Sequence, residues 1–482
     1  MRKTAMIGIL VQKEIRNHIL SFRFLVTFLL LLVIVPVTAL ILTNDYVRKL
    51  DDYARRQAEI QNYLSRYAHF NRVQNVINPT QPPAPFMTLV RGLSADVNMG
   101  AFDNDPLPVM FPLLDLTFIV SILLSLAALI FAYDSVSGEK EDGTLKLMLA
   151  NGLARSKVIL GKIVGGLATL LIPFLISLAI GLIFILLNPR VGWKGSDWGA
   201  LGIIVVGAVV YFALFTVLGI FISSRHQSSS SSIMTSLFVW VLFVLVVPNL
   251  TPYLASLIRP TPSRIMINRE VYRITQDERD ELGSKIKKEK TAEVIKSNPI
   301  LARVPEMSEK DIQDAVKNDP AFGRAYEVLR RASEAALSEA NRIQGGKAKV
   351  LQEDLDRKER VQTRLSVILS LSSPLAAFSY LTTDLSNTGM RNEAHFRTMK
   401  SAWDQAFWDY ATQKMEALRK TNPTMDVWNT PVDVSDMPRL QYREEALTER
   451  IKGILTPFTI LIVLSIVLFA AAYIAFIRYD IR

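Results

Sequence analysis

Cysteine is absent from the 482 residues. No disulfide, thiolate metal site or cysteine nucleophile is available, and the redox compartment leaves no mark on the composition. Histidine is scarce: His18, His69, His226 and His395 are scattered, and no H-E-x-x-H pair sets two zinc ligands on one helix face. No G-x-S-x-G elbow occurs, and the serine run SSRHQSSSSS at 223–232 reads as a short polar turn between apolar segments. The phosphate-cradling G-x-x-x-x-G-K-[ST] is missing too, because GGKAKV and LGKIVGG both break its spacing. These absences predict a chain that is not an enzyme, hydrolyses no nucleotide itself and holds neither cofactor nor metal. No basic groove interleaved with aromatics appears, so nucleic acid is not an expected partner.

What the chain has is apolar length. Half of its residues are hydrophobic, and uncharged runs recur at 24–43, 116–133, 163–187, 198–222, 233–258 and 453–477. About 20 apolar residues let a helix cross the hydrocarbon core, where only a helix or a closed barrel satisfies its own backbone. The expectation is an all-α polytopic protein of the lipid bilayer with six transmembrane helices. The first run follows Arg2, Lys3, Lys13, Arg16 and Arg23 but is too long for a secretory signal and has no small-residue cleavage site after it. None of the six runs contains Asp, Glu, Lys, Arg or His. Ion-driven transporters commonly expose an ionisable relay there, so proton-driven antiport is disfavoured, while sodium coupling through carbonyls and hydroxyls stays open.

Orientation follows from the basic residues of the short loops. Segments 1–23 and 134–162 carry five each, 223–232 adds Arg225 and the tail adds Arg478 and Arg482, whereas 188–197 has Arg190 and Lys194. Both termini are therefore expected in the cytoplasm, with 44–115 and 259–452 outside, and the net charge of +10 fits anchors beside anionic lipid. Before the first run, Ile7, Leu10, Val11, Ile15 and Ile19 recur at helical spacing opposite Lys13, Arg16 and Asn17. That pattern predicts an interfacial helix over 1–23.

The outer segments read as helix and loop. DYVRKLDDYARRQAEIQNYLSRY continues the first span as a charged helix, until Pro79, Pro82, Pro83 and Pro85 forbid regular structure. In 259–452, Ala325, Leu329, Ala332, Ala336, Ala340 and Ile343 step by three or four, as a helix packing one face requires, and Gly345-Gly346 is expected to interrupt it. SNPILARVP and TNPTMDVWNTP read as loops, and the whole segment as a large helical extracytoplasmic domain. Residues 365–385, LSVILSLSSPLAAFSYLTTDL, hold many hydroxyls, Pro374 and Asp384; they are read as a buried or membrane-skimming helix of that domain rather than a seventh span.

The loop at 134–162 is longer than a reversal of direction needs. It breaks near Gly143, forms a short helix through Leu145, Leu147, Met148 and Leu149, and turns at Asn151-Gly152. An apolar patch with a charged rim is the composition of a docking surface or, equally, of an interfacial anchor.

EKEDGTL at 139–145 followed by LANGLARSKVILGKI at 149–163 resembles the segment between the second and third spans of type-2 permeases of ATP-binding-cassette (ABC) exporters. In that family the pattern is roughly E-[KR]-x-x-G-T-L, a hydrophobic pair, then S/R-x-x-[IVL]-x-x-[GA]-K. Glu139, Gly143, Thr144 and Leu145 match its core, and Arg155, Ser156, Gly161 and Lys162 its second half. The resemblance implies a coupling helix that docks on a separate ABC ATPase subunit, which binds the ATP. It also implies a half-transporter paired with a second permease, identical or homologous, in a bacterial inner membrane. SSPLAAFSYLTTDLSNTG and HFRTMKSAWDQAFWDY are similar to the branch with a large external insertion, associated with copper-enzyme maturation and gliding motility. That insertion adds an extracytoplasmic protein as a candidate partner, and leaves a membrane-anchored scaffold as the rival function.

Overall fold

The computed structural model describes residues 2–66, 69, 79–92, 114–150, 153–422 and 430–478. The Asn151-Gly152 turn, most of TNPTMDVWNTP and Arg482 lie outside the described residues. Among the described residues every regular element is helical. Six helices are long and apolar enough to cross a membrane: Phe22–Leu64, Leu116–Glu141, Arg155–Leu186, Gly195–Arg225, Ser229–Ile258 and Leu447–Ile477. Each coincides with one of the six apolar runs, the run 163–187 passing the helix end by one residue. The all-α, six-span expectation holds.

In chain order, α1 is Arg2–Ile19 and α2 is Phe22–Arg66. The second span opens with one α-helical turn, Leu116–Phe118, and passes through a π-helical turn, Ile119–Leu124, into α3, Ser125–Ala132. Two short helices follow, α4 at Ser137–Glu141 and α5 at Thr144–Ala150, then α6 at Arg155–Leu186 and α7 at Gly195–Arg225. The fifth span is α8, Ser229–Trp240, a second π-helical turn, Val241–Val246, and α9, Val247–Ile258. Beyond it come α10, Arg264–Arg273, α11, Arg279–Ser297, α12, Glu309–Asn318, and α13, Pro320–Ser370. The chain ends through α14, Pro374–Leu385, α15, Met390–Thr421, and α16, Leu447–Ile477.

Two compact units result: residues 1–248 with 370–482, and residues 249–369. The segment 259–452, read above as one domain, is thus divided, its part from Ser370 onward packing with the spans. In the first unit α7 is central, meeting α3, α6, α14 and α16, with Tyr211, Phe212 and Phe215 wholly buried. The π-helical turns free backbone carbonyls for neighbours. Tyr211 Oη donates to Ser121 O at 2.9 Å, and Trp240 Nε1 to Ser125 Oγ at 2.9 Å, so polar atoms between the spans find partners.

The 365–385 stretch is not one helix. α13 stops at Ser370, and Pro374 begins α14 as a first-turn residue after Ser373, whose Oγ accepts from Ala376 N. Its 12 residues extend roughly 18 Å, short of a bilayer core of about 30 Å. Ala377, Phe378, Leu381 and Leu385 are fully buried in the cluster of span residues, and Gly207 of α7 makes room for Leu381. α14 therefore belongs to the span bundle and adds no seventh crossing.

The second unit is a helical rod. α13 is one unbroken helix of 51 residues, roughly 76 Å long. The expected interruption at Gly345-Gly346 does not occur. A Cβ at either glycine would meet nothing within 4 Å, so both sit on an open face. There they cost only about 1 kcal/mol each against Ala, which the buried Ala336, Ala340, Ala348 and Leu355 contacts outweigh. α10 and α11 run back along α13, with Arg264 paired to Glu359 and Lys290 to Glu339 at 2.6 Å.

Candidate coupling site

The matched motif lies at the end of the bundle where α3, α6, α7 and α16 meet the α4–α5 turn. α4 ends at Gly143, whose φ of +71° is left-handed. Only glycine adopts that geometry without strain, and it releases the chain into α5 at a new angle. Leu145 then points inward. It is almost fully buried among Val136, Val158, Ile159, Ile163, Val217, Ile220, Ala472 and Phe476, contributed by the ends of four spans. Thr144, Lys146 and Leu147 face out, Leu147 being 65% exposed. The sequence reading of a short amphipathic helix is thereby given a direction.

Glu139 faces inward rather than onto the surface, with its side chain 17% exposed. Its Oε1 lies 2.9 Å from Lys162 Nζ and 3.4 Å from Lys13 Nζ. Lys162, 2% exposed, also reaches Glu14 Oε1 at 3.1 Å. Two carboxylates therefore share one buried ammonium, and an ion taken out of water in this way is tolerated only because it is paired. Gly161 brings the helices close enough: a Cβ there would stand 2.9 Å from Leu10 Cβ of α1, and one at Gly165 2.6 Å from Glu14 Cβ.

The remaining matched residues have separate positions. Arg155 Nη1 donates to Ile477 O, the last carbonyl of α16, where a cation suits both an orphan acceptor and the helix dipole. Thr144 Oγ1 reaches Glu139 O at 3.4 Å, a long contact. Ser156 is half-buried in the first turn of α6. The structure joins Glu139 with Lys162, buries Leu145 among the apolar span ends, and leaves Arg155 at a different span.

Several participants were missed in the sequence. Glu14 lies one turn from Leu10 on the apolar stripe of α1, and a charge in that position signals a buried partner. The serine turn at 223–232 is more than a reversal. Ser223 Oγ accepts from Val136 N at 3.0 Å and Ser137 N at 2.9 Å, and Glu141 accepts from Ser229 N at 3.2 Å and Ser229 Oγ at 2.6 Å. Lys140 Nζ donates to the carbonyls of Ser224 and His226 at 2.7 and 2.9 Å, closing the end of α7. Arg23 binds Asp134 at 2.8 Å and Tyr133 Oη at 2.8 Å, tying the start of α2 to the same corner. The α4–α5 turn is thus fastened to every helix around it while presenting one face outward.

Comparison with known proteins decides the family. The profile described as ABC-2 family transporter protein matches residues 9–481. The chain belongs to the ABC-2 transporter family. Over 131 residues, 27% of this chain and 48% of the other, it is 33% identical to the probable ABC transporter permease protein NosY of Stutzerimonas stutzeri. Over 132 residues, again 27% and 48%, it is 35% identical to the protein of the same name from Pseudomonas aeruginosa. The chain spans about half the length of the curated relatives it matches. The family match takes in all six apolar helices and the α4–α5 turn.

Proposed function

We propose that this ABC-2 protein is the permease subunit of an ATP-driven exporter, and that the α4–α5 turn receives the closure of an ABC ATPase subunit. One observation carries the reading: a two-helix turn with an exposed Leu147 face is bonded on its other side to α1, α6, the α7–α8 turn and the bases of four spans. A push on α5 has no slack to take up before it tilts the spans. The chain contributes transmission and a pathway lining, and the ATPase contributes bond cleavage. In this reading both termini and the α4–α5 turn are cytoplasmic, in a bacterial inner membrane. A second permease subunit completes the complex against apolar faces left open by the fifth and sixth spans, the least enclosed with the first.

The test is isolation of the tagged full chain from native membranes in mild detergent, followed by identification of bound proteins and ATP hydrolysis. An ABC ATPase should co-purify, and Leu147→Asp, which puts a charge on the outward face, should release it while membrane abundance is kept. Recovery of external proteins alone, with no ATPase, overturns the exporter reading in favour of a membrane-anchored scaffold.

A further inference from the structure

The helical rod has a base with a chemistry of its own. The last turns of the fifth span, from Asn249 on, belong to the second unit, and Tyr253, Leu257 and Ile258 there are exposed, as on a helix that faces lipid. Only five residues, 259–263, lead from Ile258 to α10, which therefore starts within roughly 20 Å of the end of the span. The lower end of α13 lies alongside: Gln362 Nε2 donates to Arg259 O at 2.9 Å, and Arg264 Nε to Glu359 Oε1 at 2.7 Å. Ile265, Arg269 and Tyr272 follow at i, i+4 and i+7 on one exposed face of α10, and Met266 beside them is 70% exposed. On α13, Arg357, Val361, Arg364 and Ile368 recur in the same way and are exposed as well. Segments 255–273 and 354–369 hold eight Lys or Arg against four Asp or Glu. Glu359 is taken by Arg264, Asp354 by Arg357 and Lys358, and Glu270 by Arg273. Among the described residues, Arg259, Arg269, Arg360 and Arg364 enter no ion pair and are exposed. Nor do these cations set topology, since a segment as long as 259–452 crosses largely regardless of its charge.

We infer that the base of the rod is a phospholipid-binding collar: Arg259, Arg269, Arg360 and Arg364 hold the phosphates of anionic lipids, while Ile265, Met266 and Ile368 enter the acyl boundary of the same leaflet. The bilayer is the occupant because the collar continues, without a break in the chain, the lipid-facing surface of the fifth span. A guanidinium matches phosphate oxygens with two parallel donors, and its stem lies along apolar surface while its head stays in the headgroup layer. Isolated apolar side chains interleaved with arginine, and Tyr272 among them, have the composition of a membrane interface; a protein interface gathers its apolar residues into a core depleted of charge. Under the orientation proposed above that leaflet is the outer one, but the collar needs only that the fifth span crosses the bilayer. Its effect is to fix the lower end of the rod at the membrane surface.

The absence of native cysteine permits a direct test. The full chain carrying Met266→Cys, labelled with a small fluorophore, is placed in phosphatidylcholine nanodiscs. A minor fraction of the lipid, either phosphatidylglycerol or phosphatidylcholine, bears a nitroxide high on its acyl chain. Quenching is expected with both, and at least about threefold more strongly with phosphatidylglycerol, since four cations near the surface favour anionic lipid by more than that. High salt should reduce the difference. Replacing Arg259, Arg269, Arg360 and Arg364 together by Gln should bring the two lipids level and keep the quenching by phosphatidylcholine. The corresponding fourfold change to Lys should retain a smaller preference. Equal quenching by the two lipids before any arginine is changed overturns the collar. So does a lack of quenching by either, which would leave the face clear of the bilayer and open to a protein. A preference that survives the fourfold change to Gln overturns it as well, by assigning the lipid to other cations. If that variant does not fold, the four single Arg→Gln changes decide: each is expected to lose part of the preference, and no loss in any of them overturns the assignment.

Discussion

Ser373 Oγ donates to the main-chain carbonyl of Phe243 at 2.6 Å, in the middle of the span Ser229–Ile258. The acceptor belongs to a π-helical turn, and the donor caps α14. One hydroxyl thus closes a helix start and joins it to the fifth span. Ser373→Ala removes both bonds and leaves a buried carbonyl, at a cost of roughly 1–3 kcal/mol. Thermal unfolding in detergent should show the loss, and Ser379→Ala, in the same helix, should show much less.

Topology can be read by thiol labelling in intact cells. Under the proposed orientation, Leu147→Cys and Ser230→Cys are shielded from an impermeant maleimide and Ser284→Cys reacts, all three positions being exposed. Reaction at position 147 from outside would invert the orientation.

Lys162 should matter more than either of its partners. Lys162→Ala leaves two buried carboxylates facing each other, whereas Glu139→Gln leaves the ammonium paired with Glu14. Breaking a buried pair from one side costs about 3–5 kcal/mol, so Lys162→Ala is expected to lower membrane abundance sharply and Glu139→Gln to lower it modestly. Equal effects would show that the Glu14 bond carries nothing.

Two glycines of the turn should separate. Gly143→Ala forces a left-handed residue to carry a side chain, which costs on the order of 1 kcal/mol and, under the proposed docking, shifts α5 against the ATPase. At Gly138 a Cβ would meet its neighbours at 3.6 Å, ordinary contact, so Gly138→Ala should behave as wild type in ATPase co-purification.

Asp384, at the end of α14, supplies a pH dependence. Burial pushes its carboxyl up to about 6, against a backbone hydrogen bond from Arg391 that favours the ionised form. The folded value exceeds the unfolded one near 4, so the folded state binds the proton more tightly. Its contribution to stability is greatest below about pH 4, falls as pH rises to about 6, and is constant above. Asp384→Asn should raise Tm at pH 7.5 and leave it unchanged at pH 4. A constant difference at both would assign the effect to packing rather than to the proton.

The sequence by itself determined the six apolar helices, the short helical turn between the second and third of them, and the need for Gly143 within it. Hydrophobic length and turn chemistry are local properties, carried by consecutive residues and legible without knowing what lies beside them. Tertiary structure decided which way the charges face. Glu139 reads as a docking residue in the motif, yet its partners are Lys13, 126 positions away, and Lys162, itself held by Glu14 across 148 positions. The partner of a buried charge is set by which helices cross, and Gly161 and Gly165 reveal that crossing only when Leu10 and Glu14 are seen against them. The same holds for α14, where a hydroxyl-rich apolar stretch became part of the span bundle because Ser373 and Thr382 found Phe243 O and Thr117. Gly345-Gly346 shows the converse: a local helix-breaking signal of about 1 kcal/mol per residue yields to the packing of a long helix, whose contacts are summed over many turns.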